Sequence, residues 1–139
     1  MLLNGGPTDL LGGLVAVPAA GTHIYGPWEN RAGAVSAAIR GALEAYGSGG
    51  TSINIYVQTS LDKGATWRDV CNFSFTTSAA IREFNISALT PVTSIYTPTD
   101  GTITANTCKD GIIGDRWRAK VVVVGTYATS TMRATVDLK

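Results

Sequence analysis

The chain has 139 residues, of which 15% are Asp, Glu, Lys or Arg, and its 11 basic and 10 acidic side chains leave a net charge of +1. That length is one domain with enough residues for a real core, and 45% hydrophobic content with almost no net charge excludes a disordered chain. The basic surplus is too small for a protein that works by displacing counterions from phosphates, and no run approaches the roughly 18 unbroken apolar residues of a membrane span.

Residues 1–21 carry Leu2, Leu3, Leu10, Leu11, Leu14, Val15 and Val17, broken by Gly5-Gly6-Pro7, Gly12-Gly13 and Pro18. No Lys or Arg precedes Arg31, so the basic start of a secretory leader is missing. The stretch is too broken for one long element. Its apolar side chains need cover, which makes it either a first strand on the domain's own sandwich or an extended arm buried on a neighbouring subunit. Residues 1–20 are therefore set apart as arm or first strand, and residues 21–139 as the β domain.

Residues 34–46 fit two periods. Val35, Ala37, Ile39, Gly41 and Leu43 alternate as in a strand. Val35, Ala38, Ile39, Ala42, Leu43 and Tyr46 follow helical spacing, and the alanine content favours a helix. The regular strands around the segment weigh toward a strand. Gly47-Ser48-Gly49-Gly50 lacks the Lys-Ser/Thr of a phosphate loop and is expected to be a flexible connector.

Four further segments alternate cleanly between apolar and polar residues. They are 52–60, with Ile53, Ile55 and Val57 on one face; 68–76, with Cys71, Phe73 and Phe75; 115–124, with Trp117, Ala119, Val121 and Val123; and 131–139, with Met132, Ala134, Val136 and Leu138. Successive strand side chains point to opposite faces, so each has a core face and a wet face. Asp62-Lys63-Gly64 marks a hairpin, residues 125–130 a longer one, and residues 81–86 a short strand. Residues 91–107, rich in Thr and Ser, are expected to form an irregular excursion with at most one edge strand. This predicts an all-β fold, an antiparallel β-sandwich of jelly-roll or Ig-like type, with an extended N-terminal arm.

Chemistry is hard to assemble from these residues. The single histidine, His23, stands in alternating apolar surroundings as a sheet or surface residue would. No GxSxG is present to make a serine nucleophilic. Cys71 and Cys108 are far apart in sequence and lack CxxC spacing. They are expected to be thiols of a reducing cytosol, with a disulfide possible if the fold joins them. Asp62, Asp100 and Asp110 sit beside or near glycine in turns, where a carboxylate bonds nearby amides. A loose calcium site from Asp100, Asp110 and Asp115, or a glycosidase carboxylate pair, has no spacing to select it. The expectation is therefore no enzyme, no cofactor and no metal.

Binding features are easier to name. Trp117 is expected in the core and Trp67 at the sandwich end. Tyr56, on the polar face of its strand, is the best exposed aromatic for stacking on a sugar. Arg116, Arg118 and Lys120 share an outer strand face that either meets an acidic partner or is simply solvated. With Leu10, Leu11, Leu14, Val15 and Val17, the residues Tyr56, Arg116 and Arg118 make up the candidate partner-binding set.

The run SINIYVQTSLDKGATWRDV at 52–70 ends a strand in Q-x-S, turns through D-x-G-x-x-W and starts another strand. With IGDRWRAKVV at 113–122, a Gly-Thr hairpin and TMRATVDL at 131–138, and with the strand at 33–42, it resembles small β-sandwich virion proteins of tailed bacteriophages. The resemblance covers about residues 20–139. It implies a structural protein, made in the host cytoplasm and residing in the virion. The expected role is capsid decoration or cement, as an oligomer that binds the major capsid protein or other virion proteins, with no nucleic acid and no membrane. A neck or tail position is the alternative within that group. Carbohydrate-binding modules share such turns and supply the alternative outside it.

Overall fold

Strands with one apolar face become stable by stacking two such faces together. The computed structural model describes residues 2–3, 6–30 and 33–139 and shows that arrangement, an all-β antiparallel sandwich. Its strands are β1 (Leu2–Leu3), β2 (Pro7–Asp9), β3 (Val15–Ala16), β4 (Gly21–Asn30), β5 (Ser36–Ala45), β6 (Ser48–Gly49), β7 (Ser52–Ser60), β8 (Arg68–Phe75), β9 (Ala80–Ser87), β10 (Arg116–Val124), β11 (Tyr127–Ala128) and β12 (Thr131–Leu138). One sheet runs β1-β4-β10-β7-β8. The other runs β2-β12-β5-β9, with β3 also on β12. Every pairing is antiparallel except β1 with β4.

The apolar faces read from the sequence meet in the middle. Ile53, Ile55, Val57, Phe73, Phe75, Trp117, Val121 and Val123 of one sheet oppose Ala37, Ile39, Leu43, Ile86, Met132, Ala134 and Val136 of the other, all of them buried. Residues 36–45 form a strand, and the packing explains their small side chains. β5 is an inner strand between β12 and β9, and Gly41 lies under the ring of Phe73. A Cβ at Gly41 would stand 2.5 Å from both Cγ and Cδ2 of that ring. Phe73 also meets Phe84 of β9, with ring centroids 5.3 Å apart.

The N-terminal segment departs from the expected extended arm. Leu10 and Leu11 are buried in the chain's own core, and the Leu10 amide donates to the Ala134 carbonyl at 2.8 Å. Trp28 Nε1 donates to the Leu10 carbonyl at 3.1 Å. Val15 and Val17 pack partly buried against the same core, and the Val17 amide donates to the Ser130 carbonyl. β12 has an open side that β2 and β3 complete, and the leucines between them fill the space behind it. Leu14 alone of the five remains largely exposed, at 54%.

The glycine-rich connector is also more ordered than expected. β6 pairs with β11, and Cβ atoms at Gly47 and Gly50 would run into Ala128 O and the Tyr127 ring at 2.3 and 2.2 Å. The glycines are there because neighbouring atoms occupy the side-chain space. Residues 88–115 form no strand, and their ladder contact is one isolated bridge between Cys71 and Cys108.

Gly41→Ala is expected to destabilise the protein by about 1–3 kcal/mol, the range for overpacking a filled core. Urea unfolding followed by tryptophan fluorescence measures this, and an unchanged midpoint would mean that the Phe73 ring has room to move.

Candidate functional site

The outer face of the β4-β10-β7-β8 sheet gathers the polar side chains, and a β-bulge decides which ones. Val57 faces Cys71 across the β7–β8 ladder and Gln58 faces Asp69, so Val70 is an extra residue. The bulge keeps Val70 buried and brings Asp69 beside Gln58 on the outer face. Re-aiming a side chain in this way is a common consequence of a bulge.

Asp69 is fully buried, and the 88–115 excursion supplies its partners. Its carboxylate accepts hydrogen bonds from the amides of Gly101, Thr102 and Ile103 at 2.8, 3.0 and 3.1 Å. The Thr99 hydroxyl and Gln58 Nε2 each donate to it at 2.8 Å. A buried charge needs such compensation, since an unpaired one costs several kcal/mol.

The network continues outward. Gln58 Nε2 also donates to Asp100 at 2.7 Å, and Gln58 Oε1 accepts from Arg118 Nε at 2.7 Å. Lys120 Nζ donates to the Asp100 carboxylate at 3.1 Å. Burial works against the charged form of Asp100. The hydrogen bonds of Gln58 and Lys120, with the charges of Lys120 and Arg118, outweigh it and hold the pKa below the ordinary value. Burial presses the Arg118 pKa down while the Asp100 and Asp69 charges oppose it. The Arg118 guanidinium also lies 4.5 Å from the centroid of the Trp67 ring.

Tyr96 holds the other half of the excursion. Arg68 and Lys109 lie 4.8 and 4.5 Å from its ring centroid. Below the site, the Asp62 turn closes β7 onto β8. Its carboxylate accepts from the Thr66 hydroxyl at 2.6 Å, the Thr66 amide at 2.8 Å and the Ser60 hydroxyl at 2.8 Å. The Thr66 side-chain and backbone bonds, then the Ser60 bond, lower the Asp62 pKa to about 2. Lys63 and Gly64 both take positive φ in this turn, at 59° and 90°.

These contacts change the sequence-based site. Tyr56 is 9% exposed and offers no stacking platform. Its ladder neighbours are Lys120 and Asn72, and these bond to Asp100 and Ile103 of the excursion, which crosses the face there. Arg116, Arg118 and Lys120 each pair with a carboxylate of the same chain. Arg116 pairs with Glu29 and Asp115 at 3.2 Å each, and Asp100 serves the other two. Trp67 is half-buried on this face and does not join the core, whereas Trp117 does.

Asp100, Asp110 and Asp115 are not brought together. Asp110 accepts from the Ser87 and Gly111 amides, and Asp115 from the Lys63 amide. No group of metal-ligating side chains clusters among the described residues. His23 is half-buried on β4, with Nε2 2.8 Å from the Ala19 carbonyl oxygen.

Several large apolar side chains stay open. Leu89 is 77% exposed and Ile95 fully so. Residues 90–96 and 108–110 line an open hollow of ≈ 450 Å³ beside them. Leu61, 63% exposed, borders a second hollow of ≈ 290 Å³ with Trp67 and Pro98. No family model matches the chain, and no curated protein or solved structure matches it.

Asp69→Ala is expected to cost about 3 kcal/mol, because buried donors left unpaired cost about 1–3 kcal/mol each and water rescues some of them. Hydrogen exchange at the amides of residues 101–103 is the direct check, and protection equal to wild type would show that another group holds the loop. Asp62 makes stability depend on acid. With a folded pKa of about 2 against an ordinary 3.8, its stabilisation is present above pH 3.8 and is lost as pH falls through 2. The gap in unfolding midpoint between wild type and Asp62→Asn is therefore expected to be full at neutral pH and to close toward pH 2.

Proposed function

We propose that this chain is a structural protein of a tailed-phage virion, a decoration protein that binds the head shell and works as an oligomer. The observation that carries this reading is the distribution of polar and apolar groups. Asp69, Gln58, Asp100, Arg118 and Lys120 are turned to one another beneath or beside the excursion, while Leu61, Leu89 and Ile95 point to solvent. A surface of that kind recognises by shape and apolar burial, as interface cores do. The resemblance of the 52–70 hairpin and the C-terminal strands to virion sandwiches supplies the class of partner.

The N-terminal residues no longer serve as the docking arm in this reading, because Leu10 and Leu11 are committed to the chain's own core. Contact passes instead to the excursion and the Leu61 turn, with Leu14 as a separate apolar point.

Purified protein mixed with phage heads that lack it is expected to bind at a copy number on the order of hundreds per particle, as a shell lattice requires. Binding of about six or twelve copies would move the protein to the neck or tail, where closed rings set the count. A double change, Leu89→Asp with Ile95→Asp, is expected to abolish binding while unfolding stays as in wild type. Undiminished binding by that variant would overturn the docking surface, and failure of wild type to bind any virion part would overturn the function.

A further inference from the structure

We propose that Cys71 and Cys108 are a built oxidation site: a small disulfide donor joins them in one intramolecular disulfide, which latches the excursion to the edge of β8. Two hydrogen bonds flank the pair, Asn72 N to Thr107 O at 3.1 Å and Lys109 N to Val70 O at 2.7 Å. These run between the residues on either side of the antiparallel bridge between Cys71 and Cys108. The two cysteines therefore occupy a non-hydrogen-bonded position of an antiparallel ladder. Opposite residues there have Cα atoms about 4.5 Å apart and side chains on one face. A disulfide needs a Cα separation of about 4.4–6.8 Å. The usual spacing of such a position falls within that range.

Access is unequal in a useful way. Cys71 is fully buried, while Cys108 is half-buried and forms part of the wall of the open hollow lined by residues 90–96. Both thiols are free. An oxidant that enters the hollow reaches Cys108 first, and the only thiol facing that sulfur across the ladder is Cys71.

With oxidised glutathione as the donor, the Cys108 thiolate attacks one glutathione sulfur, and a new S–S bond forms as the old one breaks. One glutathione leaves as thiolate and takes up the proton that Cys108 gave to solvent. The Cys71 thiolate then attacks Cys108 Sγ, and the second glutathione leaves in the same way. Two protein thiols are oxidised and one donor disulfide is reduced to two thiols. Burial raises both thiol pKa values, Cys71 well above its ordinary value and Cys108 less so. Exchange is then slower than at an exposed cysteine, and the product is shielded once formed.

Incubation of the folded protein with oxidised glutathione, followed by intact mass and peptide mapping, tests the assignment. The expected product has lost two hydrogens and yields one linked peptide pair containing Cys71 and Cys108. Its unfolding midpoint is raised by on the order of 10 °C, and excess thiol reverses the rise. Cys71→Ala is expected to stop at a stable glutathione adduct on Cys108. Should that variant not fold, Cys108→Ala provides the second arm, and its buried Cys71 is expected to stay unmodified. A lasting glutathione adduct on wild-type Cys108, a Cys108-linked dimer, or two thiols unreactive until the chain is denatured would each overturn the proposal.

Discussion

A carboxylate with no access to water organises the outer layer of this molecule. Asp69 sits on the face of a sheet that would otherwise be open, and a buried charge is tolerated only where fixed donors replace its hydration. The donors come from consecutive amides of a loop that has no regular structure of its own. That one bond set fixes where the excursion runs. The excursion in turn covers Tyr56 and Gln58, and its Asp100 sets the directions of Arg118 and Lys120. The long loop is therefore part of the folded unit, held by charge-assisted bonds to Asp69 and by backbone bonds to the β8 edge.

The interior obeys a different constraint, which is thickness. Large rings project from β8 and β10, so the facing sheet must be thin beneath them. The alanines and Gly41 of β5 meet that need, and the N-terminal residues fill what is left beside β12. Burial of Leu10 and Leu11 there makes the first segment part of the one core rather than a free appendage. Trp28 ties the two together by donating to the Leu10 carbonyl.

Much of this was legible in the residues. The strands of β7, β8, β10 and β12 show themselves by alternation, because a half-buried strand has only one way to place its apolar side chains. The turn at Asp62 is legible because local chemistry makes it. What alternation cannot show is a bulge. Carried back from Cys71, the period puts Asp69 on the core side and Val70 on the wet side, and the observed ladder reverses both. An Asp inside a strand pattern was the available signal, since aspartate fits a pleated surface poorly. The cover over Tyr56 is hidden for a related reason. A period tells which face a side chain is on, and says nothing of what later chain will lie across that face. The stacking of 34–46 and the cover for Leu10 and Leu11 are tertiary facts of the same kind.

The placement of the excursion also bears on self-association. β8 is an edge strand whose residues 70–75 carry no charge and include Val70, Phe73 and Phe75. An uncharged apolar edge is a template for another chain. Here the amides of Asp69 and Asn72 and the carbonyls of Val70 and Asn72 are already occupied by residues 99–109. On the other sheet, the β9 edge carries Arg82 and Glu83 instead. One edge is thus protected by charge and the other by occupancy. Occupancy needs no charge on the edge itself, and it lasts only as long as the loop stays down. Exposure of the β8 edge therefore depends on the opening of one loop rather than on the net charge of the protein.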